Sequence, residues 1–229
     1  MAKRPFSVNL SRQGILWDLD GVLVDTAEYH FHSWKEVLMD YGISLDRGAF
    51  QKTLGMNSTS SVKILMGNQP DPELIDRMIT RKEAIFRELI QNEIALLPGV
   101  LQWLKWFYTR HMPMAVASSA PPENIDYLID TLQIRSFFNE LVSGAEMPGK
   151  PNPDIFLEAA KRLNLSPADC IVIEDSIAGV EAARQAGMRC IAVATTNPAP
   201  LLSAANLVVE NLTGLNQRSF LKLSGQLNQ

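Results

Sequence analysis

The strongest chemical signal in the sequence is a pair of aspartates two positions apart. Asp18 and Asp20 follow the apolar run Gly14–Trp17, and Gly21 comes directly after them. Residues two apart on a strand or its extension face the same side, so both carboxylates can act at one point. Carboxylates this close repel each other, and a divalent cation with oxygen ligands is the usual way to offset the repulsion. The pair therefore predicts a metal site, for which Mg²⁺ fits best.

Taken alone, an Asp-x-Asp-Gly sequence is equally typical of a solvated turn or a helix cap, so the rest of the chain must decide. Three later apolar runs also end in polar residues. They are Met114–Ala117 before Ser118 and Ser119, Cys170–Ile173 before Glu174 and Asp175, and Cys190–Val193 before Thr195 and Thr196. Helical spacing of apolar residues separates them at Glu123–Leu132, Pro153–Leu163 and Ile177–Ala186.

Short buried strands that alternate with helices predict a parallel sheet. In such a sheet, ligands bind beyond the carboxyl ends of the strands. We therefore expect Asp18, Ser118, Glu174 and Asp175 to converge on one site. The segment from about Thr26 to Glu93 differs, because it has helical patterns and no convincing buried strand. It predicts a helical insert, with a cap at Asp25-Thr26, Pro72 near the start of a later helix, and an amphipathic stretch at Ile75–Ile90.

The composition limits the class of partner. The 229 residues carry a formal charge of −4, and no stretch concentrates Lys and Arg, so neither nucleic acid nor an anionic membrane is expected as a partner. Small molecules are the expected partners. Met1–Arg12 has no long apolar run and no later run approaches the roughly 18 residues of a membrane span, which predicts a cytoplasmic location. The oligomeric state is unknown from the sequence, with a monomer favoured, and Cys170 and Cys190 are expected to be reduced core thiols.

A resemblance to a known family adds to this interpretation. Asp18-Leu19-Asp20-Gly21-Val22, Ser118, Lys150-Pro151 and Glu174-Asp175 stand in the order and approximate spacing of the haloacid dehalogenase superfamily of phosphatases and phosphomutases. The resemblance covers almost the whole chain, and Asp25–Phe31 followed by Trp34 is similar to the β-phosphoglucomutase-like branch. It implies an α/β fold, with a Rossmann-like parallel sheet core of three α/β/α layers and an inserted four-helix cap. The core would comprise residues 1–25 and 95–229, and the cap residues 26–94.

The resemblance also implies a role for each matching residue. Asp18 would be the nucleophile and Asp20 the general acid and base, while Ser118, Ser119 and Lys150 would bind the phosphoryl group. Mg²⁺ would bind the carboxylates of Asp18 and Asp175 and the backbone carbonyl of Asp20, with Glu174 in support. His30, Trp34, Arg81 and Lys82 would contact the substrate from the cap side. Without the resemblance, Lys150 would be interpreted as a solvated surface lysine, and His30 and Trp34 as core residues.

Two departures from the sugar-phosphate mutases of this branch shift the predicted activity. Ser58 stands where those mutases carry a cap arginine, and Ala120-Pro121-Pro122 lacks the lysine that follows their serine. Arg81 and Lys82 do match a basic pair of the mutase cap. The sequence therefore predicts a phosphatase for a small phosphorylated metabolite, a sugar or polyol phosphate, that works through an aspartyl phosphate. A β-phosphoglucomutase-type mutase is the second interpretation.

Two other classes fit less well. A signalling receiver module also stores phosphate on an aspartate beside Mg²⁺, but receivers are much shorter and have no helical insert. A dehalogenase would need neither a metal nor the carboxylates of Asp20, Glu174 and Asp175. A phosphotransfer enzyme remains the favoured class.

Overall fold

The computed structural model describes residues 12–67, 70–91 and 94–226. Within these residues six parallel strands form one sheet in the order β3-β2-β1-β4-β5-β6. The strands are β1 (Gly14–Trp17), β2 (Met114–Ser118), β3 (Glu140–Ser143), β4 (Cys170–Glu174), β5 (Arg189–Val193) and β6 (Leu207–Val209). The segment Met1–Arg12, for which the sequence shows no long apolar run, lies outside the described residues except for Arg12.

Helices connect the strands and cover the sheet. They are α1 (Ala27–Met39), α2 (Arg47–Gln51), α3 (Ser58–Met66), α4 (Pro72–Leu89), α5 (Val100–Tyr108), α6 (Pro122–Thr131), α7 (Asp154–Arg162), α8 (Ile177–Gln185) and α9 (Gln217–Leu223). Short 3₁₀ turns occupy Arg135–Phe137, Pro167–Asp169 and Ala199–Leu202. None of the helices in the described ranges is both long and apolar enough to cross a membrane.

The central strands are buried on both faces, which explains why they are apolar without alternation. Ile15 of β1 pairs with Met114 of β2 and with Ile171 of β4. The side chains of Ile15 and Trp17 enter one hydrophobic cluster, and Leu16 between them enters a second cluster on the opposite face. The first cluster includes residues of α5, α6 and α9, and the second includes residues of α7 and α8. The predicted three-layer α/β/α core is therefore confirmed.

Helices α1–α4 form a helical insert between β1 and α5, and they have a hydrophobic cluster of their own. Phe31, Trp34, Val62 and Met78 are among its buried members, and α1 packs along α4. The side chain of Asp71 caps α4 by accepting from the backbone N–H of Glu73, with Pro72 in the first turn as predicted. Such caps offset the unpaired N–H groups at helix starts.

The predicted cap of α1 differs in one respect. Thr26 is the N-cap residue, but its side chain makes no capping hydrogen bond. Its hydroxyl donates instead to Oδ1 of Asp20, while Asp25 accepts from the N–H of Ala27 at 3.3 Å. Cys170 and Cys190 are both free and buried, as expected.

A test of the core uses the aromatic cluster beneath the sheet. The ring of Phe107 lies 5.4 Å from that of Trp103 and 5.1 Å from that of Phe220, and all three are buried. We expect Phe107→Ala to lower the free energy of unfolding by roughly 3–5 kcal/mol, because it removes buried surface and leaves a cavity. Leu101→Ala on the same helix should cost less than about 1 kcal/mol, because Leu101 is exposed. Chemical denaturation of both variants measures the difference, and equal losses would contradict this packing.

Candidate active site

The candidate site lies at the carboxyl ends of β1, β2 and β4, at the centre of the sheet. Asp18 directly follows β1, and its N–H donates to the carbonyl of Ile173 at 3.0 Å. Ser118 is the last residue of β2, and Glu174 is the last residue of β4, with Asp175 directly after it. Parallel pairing brings these strand ends to one edge. The sequence prediction that the four residues converge agrees with this arrangement.

Three carboxylates are buried together at this edge. Asp18, Glu174 and Asp175 each offer one oxygen, and these oxygens lie within 4.8 Å of one another. Lys150 is also buried, and its Nζ lies 2.9 Å from Oδ1 of Asp18 and 2.5 Å from Oε1 of Glu174. A single ammonium against three carboxylates leaves an excess of negative charge in a buried place. Such charge is costly to bury unless a cation compensates it.

The pKa values of this cluster reflect that excess. Burial, with the nearby carboxylates, raises the pKa of Asp18 to about 7 despite the opposing charge of Lys150. Burial and the same neighbours raise the pKa of Asp175 well above its ordinary value. Burial disfavours the charged form of Lys150, but Asp18 and Glu174 outweigh it and raise the pKa of Lys150. The donor atoms are all oxygens, so the carboxylate cluster fits a hard divalent cation such as Mg²⁺.

Glu174 is fixed between the lysine and the start of α8. Its Oε2 accepts from the N–H groups of Asp175 and Ser176, both at 2.6 Å, and its Oε1 accepts from Lys150. A Cβ added at Gly179 would lie 1.9 Å from Oε1 of Glu174, so only glycine leaves room for this carboxylate. Glu174 is therefore held on both oxygens, by Lys150 on one and by backbone N–H groups on the other.

Asp175 is oriented by a loop after β5. The hydroxyl of Thr196 donates to its Oδ2, and the amide of Asn197 donates to its backbone carbonyl at 3.2 Å. Gly21 has a φ of +80°, and a Cβ there would lie 2.0 Å from Oδ2 of Asp175. Thr196 stands at the polar end of the apolar run Cys190–Val193, but its sequence context indicated no role for it. The strand-end position was the signal that could have found it.

Asp20 faces the helical insert and is bonded to it. Its Oδ1 accepts from the hydroxyl of Thr26 at 2.5 Å and lies 3.2 Å from Nε2 of His30. Nζ of Lys82 lies 2.9 Å from Nδ1 of His30. Since an ammonium can only donate, Nδ1 accepts and Nε2 carries the proton that points at Asp20. Burial opposes the charged form of Asp20, yet these contacts lower the pKa of Asp20 to about 2, so it is an ionised carboxylate.

A cavity lies between the strand ends and the helical insert. Its wall contains Asp18, Asp20 and Asp175 from the sheet side, and His30, Trp34 and Lys82 from the insert. Ser118 and Lys150 are buried next to the wall, where the hydroxyl of Ser118 lies 3.5 Å from Oδ2 of Asp20. The structure thus brings most of the predicted site residues together.

Ser119 and Arg81, two of the predicted site residues, make contacts other than those expected. Ser119 lines the cavity, but its hydroxyl donates to the carbonyl of Gly55 in the insert at 2.9 Å. Arg81 does not reach the cavity: it is exposed and pairs with Asp40 at 3.0 Å and Glu36 at 3.8 Å. Its neighbour Lys82 lies one position further around α4 and points inward. Consecutive residues of a helix face different sides, so Arg81 lies on another side of α4 than Lys82, and its substrate contact stays a prediction.

A charged residue of the cavity wall, Glu83, was not among the predicted site residues. Glu83 is buried, and its Oε1 accepts from the hydroxyl of Ser58 at 2.8 Å and from Lys82 at 2.9 Å. No motif marks it, because its neighbours in the sequence are ordinary helix formers. Only the helix orientation shows that it faces the cavity.

Comparisons with known proteins agree with this geometry. The family model described as haloacid dehalogenase-like hydrolase matches residues 15–193. The β-phosphoglucomutase of Bacillus subtilis (strain 168) is 34% identical over 89% of this chain and 91% of that protein. The fructose-1-phosphate phosphatase YqaB of Escherichia coli (strain K12) is 33% identical over 79% of this chain and 95% of that protein. A crystal structure of β-phosphoglucomutase from Clostridium difficile superimposes with a TM-score of 0.85 at 28% identity, covering 93% and 97% of the two chains.

The buried lysine provides a test of the cluster. We expect Lys150→Met to lower the free energy of unfolding at pH 7 by about 3–5 kcal/mol in metal-free buffer, because it leaves the carboxylates of Asp18 and Glu174 uncompensated. Lys161→Met should change it by less than about 1 kcal/mol, because Lys161 is exposed and its pair with Glu158 at 3.5 Å is solvated. Urea unfolding measures both variants. A stable Lys150→Met would show that the buried charges are not balanced as described.

Proposed function

Because the chain belongs to the haloacid dehalogenase-like hydrolase family and to its β-phosphoglucomutase-like branch, we propose that it is a Mg²⁺-dependent phosphatase. Its substrate is a small phosphorylated sugar or polyol, and Asp18 is the residue that becomes phosphorylated. The observation that carries this proposal is the buried cluster of Asp18, Glu174 and Asp175 beside Lys150, open to a cavity that Asp20 also lines. Residues 26–94 would form the cap domain, and residues 1–25 and 95–229 the core domain.

The proposed metal site uses groups from two strand ends. The carboxylates of Asp18 and Asp175 and the backbone carbonyl of Asp20 would hold Mg²⁺, and Glu174 would stay behind them, bonded to Lys150. When bound, the ion supplies the positive charge that allows an anionic carboxylate to approach a phosphate ester. Thr196 and Asn197 orient Asp175 for this purpose.

In the first step, a carboxylate oxygen of Asp18 attacks phosphorus and forms the aspartyl phosphate. The bond from phosphorus to the leaving oxygen breaks, and the electron pair stays with that oxygen, which takes a proton from Asp20. Lys150, Ser118 and Ser119 would bind the phosphoryl oxygens. Asp20 is ionised in the structure, so it must gain this proton before the step. Nε2–H of His30 lies 3.2 Å from Oδ1 of Asp20, and His30 can pass that proton on as its Nδ1 takes one from the ammonium of Lys82, 2.9 Å away; the proton that Asp20 gains in the second step returns along the same path.

In the second step, Asp20 takes a proton from a water molecule, which attacks the phosphorus of the aspartyl phosphate. Phosphate leaves, and the carboxylate of Asp18 is restored. The ionised form of Asp20 in the structure is the form that can accept this proton, and a positioned base of this kind contributes roughly 10²–10⁴ in rate. Two steps of lower barrier thus replace one difficult step.

Among the described residues, the scarcity of cationic side chains in the cavity wall favours hydrolysis over mutase activity. A mutase must bind a bisphosphate in two orientations, which calls for cationic groups at the end far from Asp18. Ser58 stands at the position expected for an arginine, and Arg81 is paired with Asp40 and Glu36 outside the cavity. The resemblance to a β-phosphoglucomutase keeps the mutase as the alternative that the experiment must exclude.

The deciding experiment measures phosphate release from a panel of sugar and polyol monophosphates, with Mg²⁺ and with EDTA. We expect release that EDTA abolishes, and a loss of about 10³-fold or more in Asp18→Asn, because the variant lacks the nucleophile. Asp169→Asn is the matched control, since this exposed aspartate precedes β4 at the opposite end of the strand. Release that survives in Asp18→Asn or in EDTA would refute the proposal.

The same assay separates the two activities. A wild-type protein that releases little phosphate, yet interconverts glucose 1-phosphate and glucose 6-phosphate when primed with a bisphosphate, would be a mutase. Rapid release without interconversion supports the phosphatase.

A second variant tests the two roles of Asp20. We expect Asp20→Asn to lower kcat by roughly 10²–10⁴, because the amide can neither give nor take the proton. With p-nitrophenyl phosphate, whose leaving group needs little protonation, Asp18 should still become phosphorylated, and the intermediate should accumulate. Intact-protein mass spectrometry after rapid quenching detects it. Near-normal turnover, or no intermediate with this substrate, would contradict the assigned roles.

A further inference from the structure

A buried carboxylate lies in the cavity wall and has no part in the proposed chemistry. Glu83, on α4, is 4% exposed and lines the same cavity as Asp18 and Asp20. Its Oε1 accepts from Ser58 and Lys82, and its Oε2 accepts from the side-chain amide of Asn124 at 2.7 Å. A buried carboxylate is costly unless it is bonded in this way. Three side chains, those of Ser58, Lys82 and Asn124, therefore stabilise the buried carboxylate of Glu83.

The carboxylate is held from both sides of the cavity. Asn124 belongs to α6 of the sheet domain, and its Oδ1 accepts from Arg87 of α4 at 3.0 Å. Because the amide of Asn124 is fixed by Arg87, its Nδ2 is directed at Glu83. Glu83 thus has a fixed position relative to Asp18, and its charge acts on whatever occupies the space between them.

Glu83 also compensates the positive charge of Lys82. Burial would raise the pKa of Glu83, but Lys82 and His30 outweigh it and hold the pKa below its ordinary value, so Glu83 is ionised at neutral pH. Within the described residues, Lys82 is the only lysine or arginine in the cavity wall. Its charge is matched by a carboxylate 2.9 Å away. The insert side of the cavity therefore offers no uncompensated lysine or arginine to a second anionic group.

Building on the proposed function, we infer that Glu83 restricts the substrate to monophosphates whose leaving group is uncharged and carries hydroxyls. A second phosphate or a carboxylate at the insert end would face a fixed anion in a site shielded from water, where repulsion is strong. A hydroxyl instead gains a partner. Oε2 of Glu83 makes one hydrogen bond in the structure and can accept another.

The test compares two substrates that differ by one phosphate, fructose 1-phosphate and fructose 1,6-bisphosphate. The measured quantity is the ratio of their kcat/KM values in saturating Mg²⁺. We expect the wild type to prefer the monophosphate. Glu83→Gln, which keeps the shape but removes the charge and frees that of Lys82, should shift the ratio toward the bisphosphate on the order of tenfold.

Three further variants separate charge from packing. Glu83→Asp keeps the charge and disturbs the packing, so it should retain the preference for the monophosphate. Glu36→Gln removes an exposed carboxylate of the same insert and should leave the ratio unchanged. Ser58→Arg places a cation beside Glu83 and should shift the ratio in the same direction as Glu83→Gln. It tests the inference independently, in case Glu83→Gln does not fold.

The outcomes distinguish the inference from the proposed function. Unchanged ratios in Glu83→Gln and Ser58→Arg, or equal shifts in Glu83→Asp and Glu83→Gln, would overturn the role of Glu83. In those cases hydrolysis of the monophosphate would still support the phosphatase. A folded wild-type protein that hydrolyses neither substrate would overturn both.

Discussion

The burial of negative charge at the ends of β1 and β4 is the constraint on which the site depends. Asp18, Glu174 and Asp175 can lie together away from water only because Lys150 contacts two of them, and because Glu174 also accepts N–H groups at the start of α8. The close packing requires residues without side chains at Gly21 and Gly179. The parallel sheet supplies the rest, since it brings distant segments to one edge in a fixed register.

The helical insert completes the site by contacts that reach across the cavity. Ser119 of the sheet side donates to the carbonyl of Gly55, and the side-chain amide of Asn57 lies 3.0 Å from the carbonyl of Met147. Thr26 and His30 of the insert bond to Asp20. The protonation of Asp20 therefore depends on the insert, whereas the charge balance of Asp18 depends on the sheet domain. The proposed nucleophile and the proposed proton-transfer group are therefore held by different parts of the fold.

The sequence predicted the parts of the fold whose physical signal is strong. Strands β1, β2, β4 and β5 are continuous apolar runs with polar ends, and α6–α8 have clear helical spacing. The edge strands β3 and β6 were not predicted, because most of their residues are half-buried and their short runs lack a distinct apolar pattern. Helix α5 was not predicted either, although its buried residues Val100, Trp103, Leu104 and Phe107 stand at helical spacing.

Some site residues could be predicted from the sequence and others could not. The aspartates follow apolar runs, which indicated a shared site at the strand ends, whereas Lys150 was assigned only through the family resemblance. Arg81, Lys82 and Glu83 are consecutive, and a run of three charges shows nothing of which side chain enters a cavity. Each residue of α4 is rotated by about 100° from the one before it. Arg81 is therefore in an exposed ion pair, Lys82 contacts His30, and Glu83 is a buried anion.

Residues 81–83 of α4 also bear on whether the protein hydrolyses its substrate or transfers the phosphate to a sugar. In the proposed mechanism the strand ends supply the nucleophile Asp18, the metal site and Lys150, and these groups would serve hydrolysis and phosphate transfer equally well. What differs between the two activities is whether a second anionic group is stabilised at the far end of the cavity. In this chain Glu83 compensates Lys82 there and Ser58 adds no charge. In the proposed mechanism the insert, and not the catalytic carboxylates, would therefore decide between water and a sugar hydroxyl as acceptor.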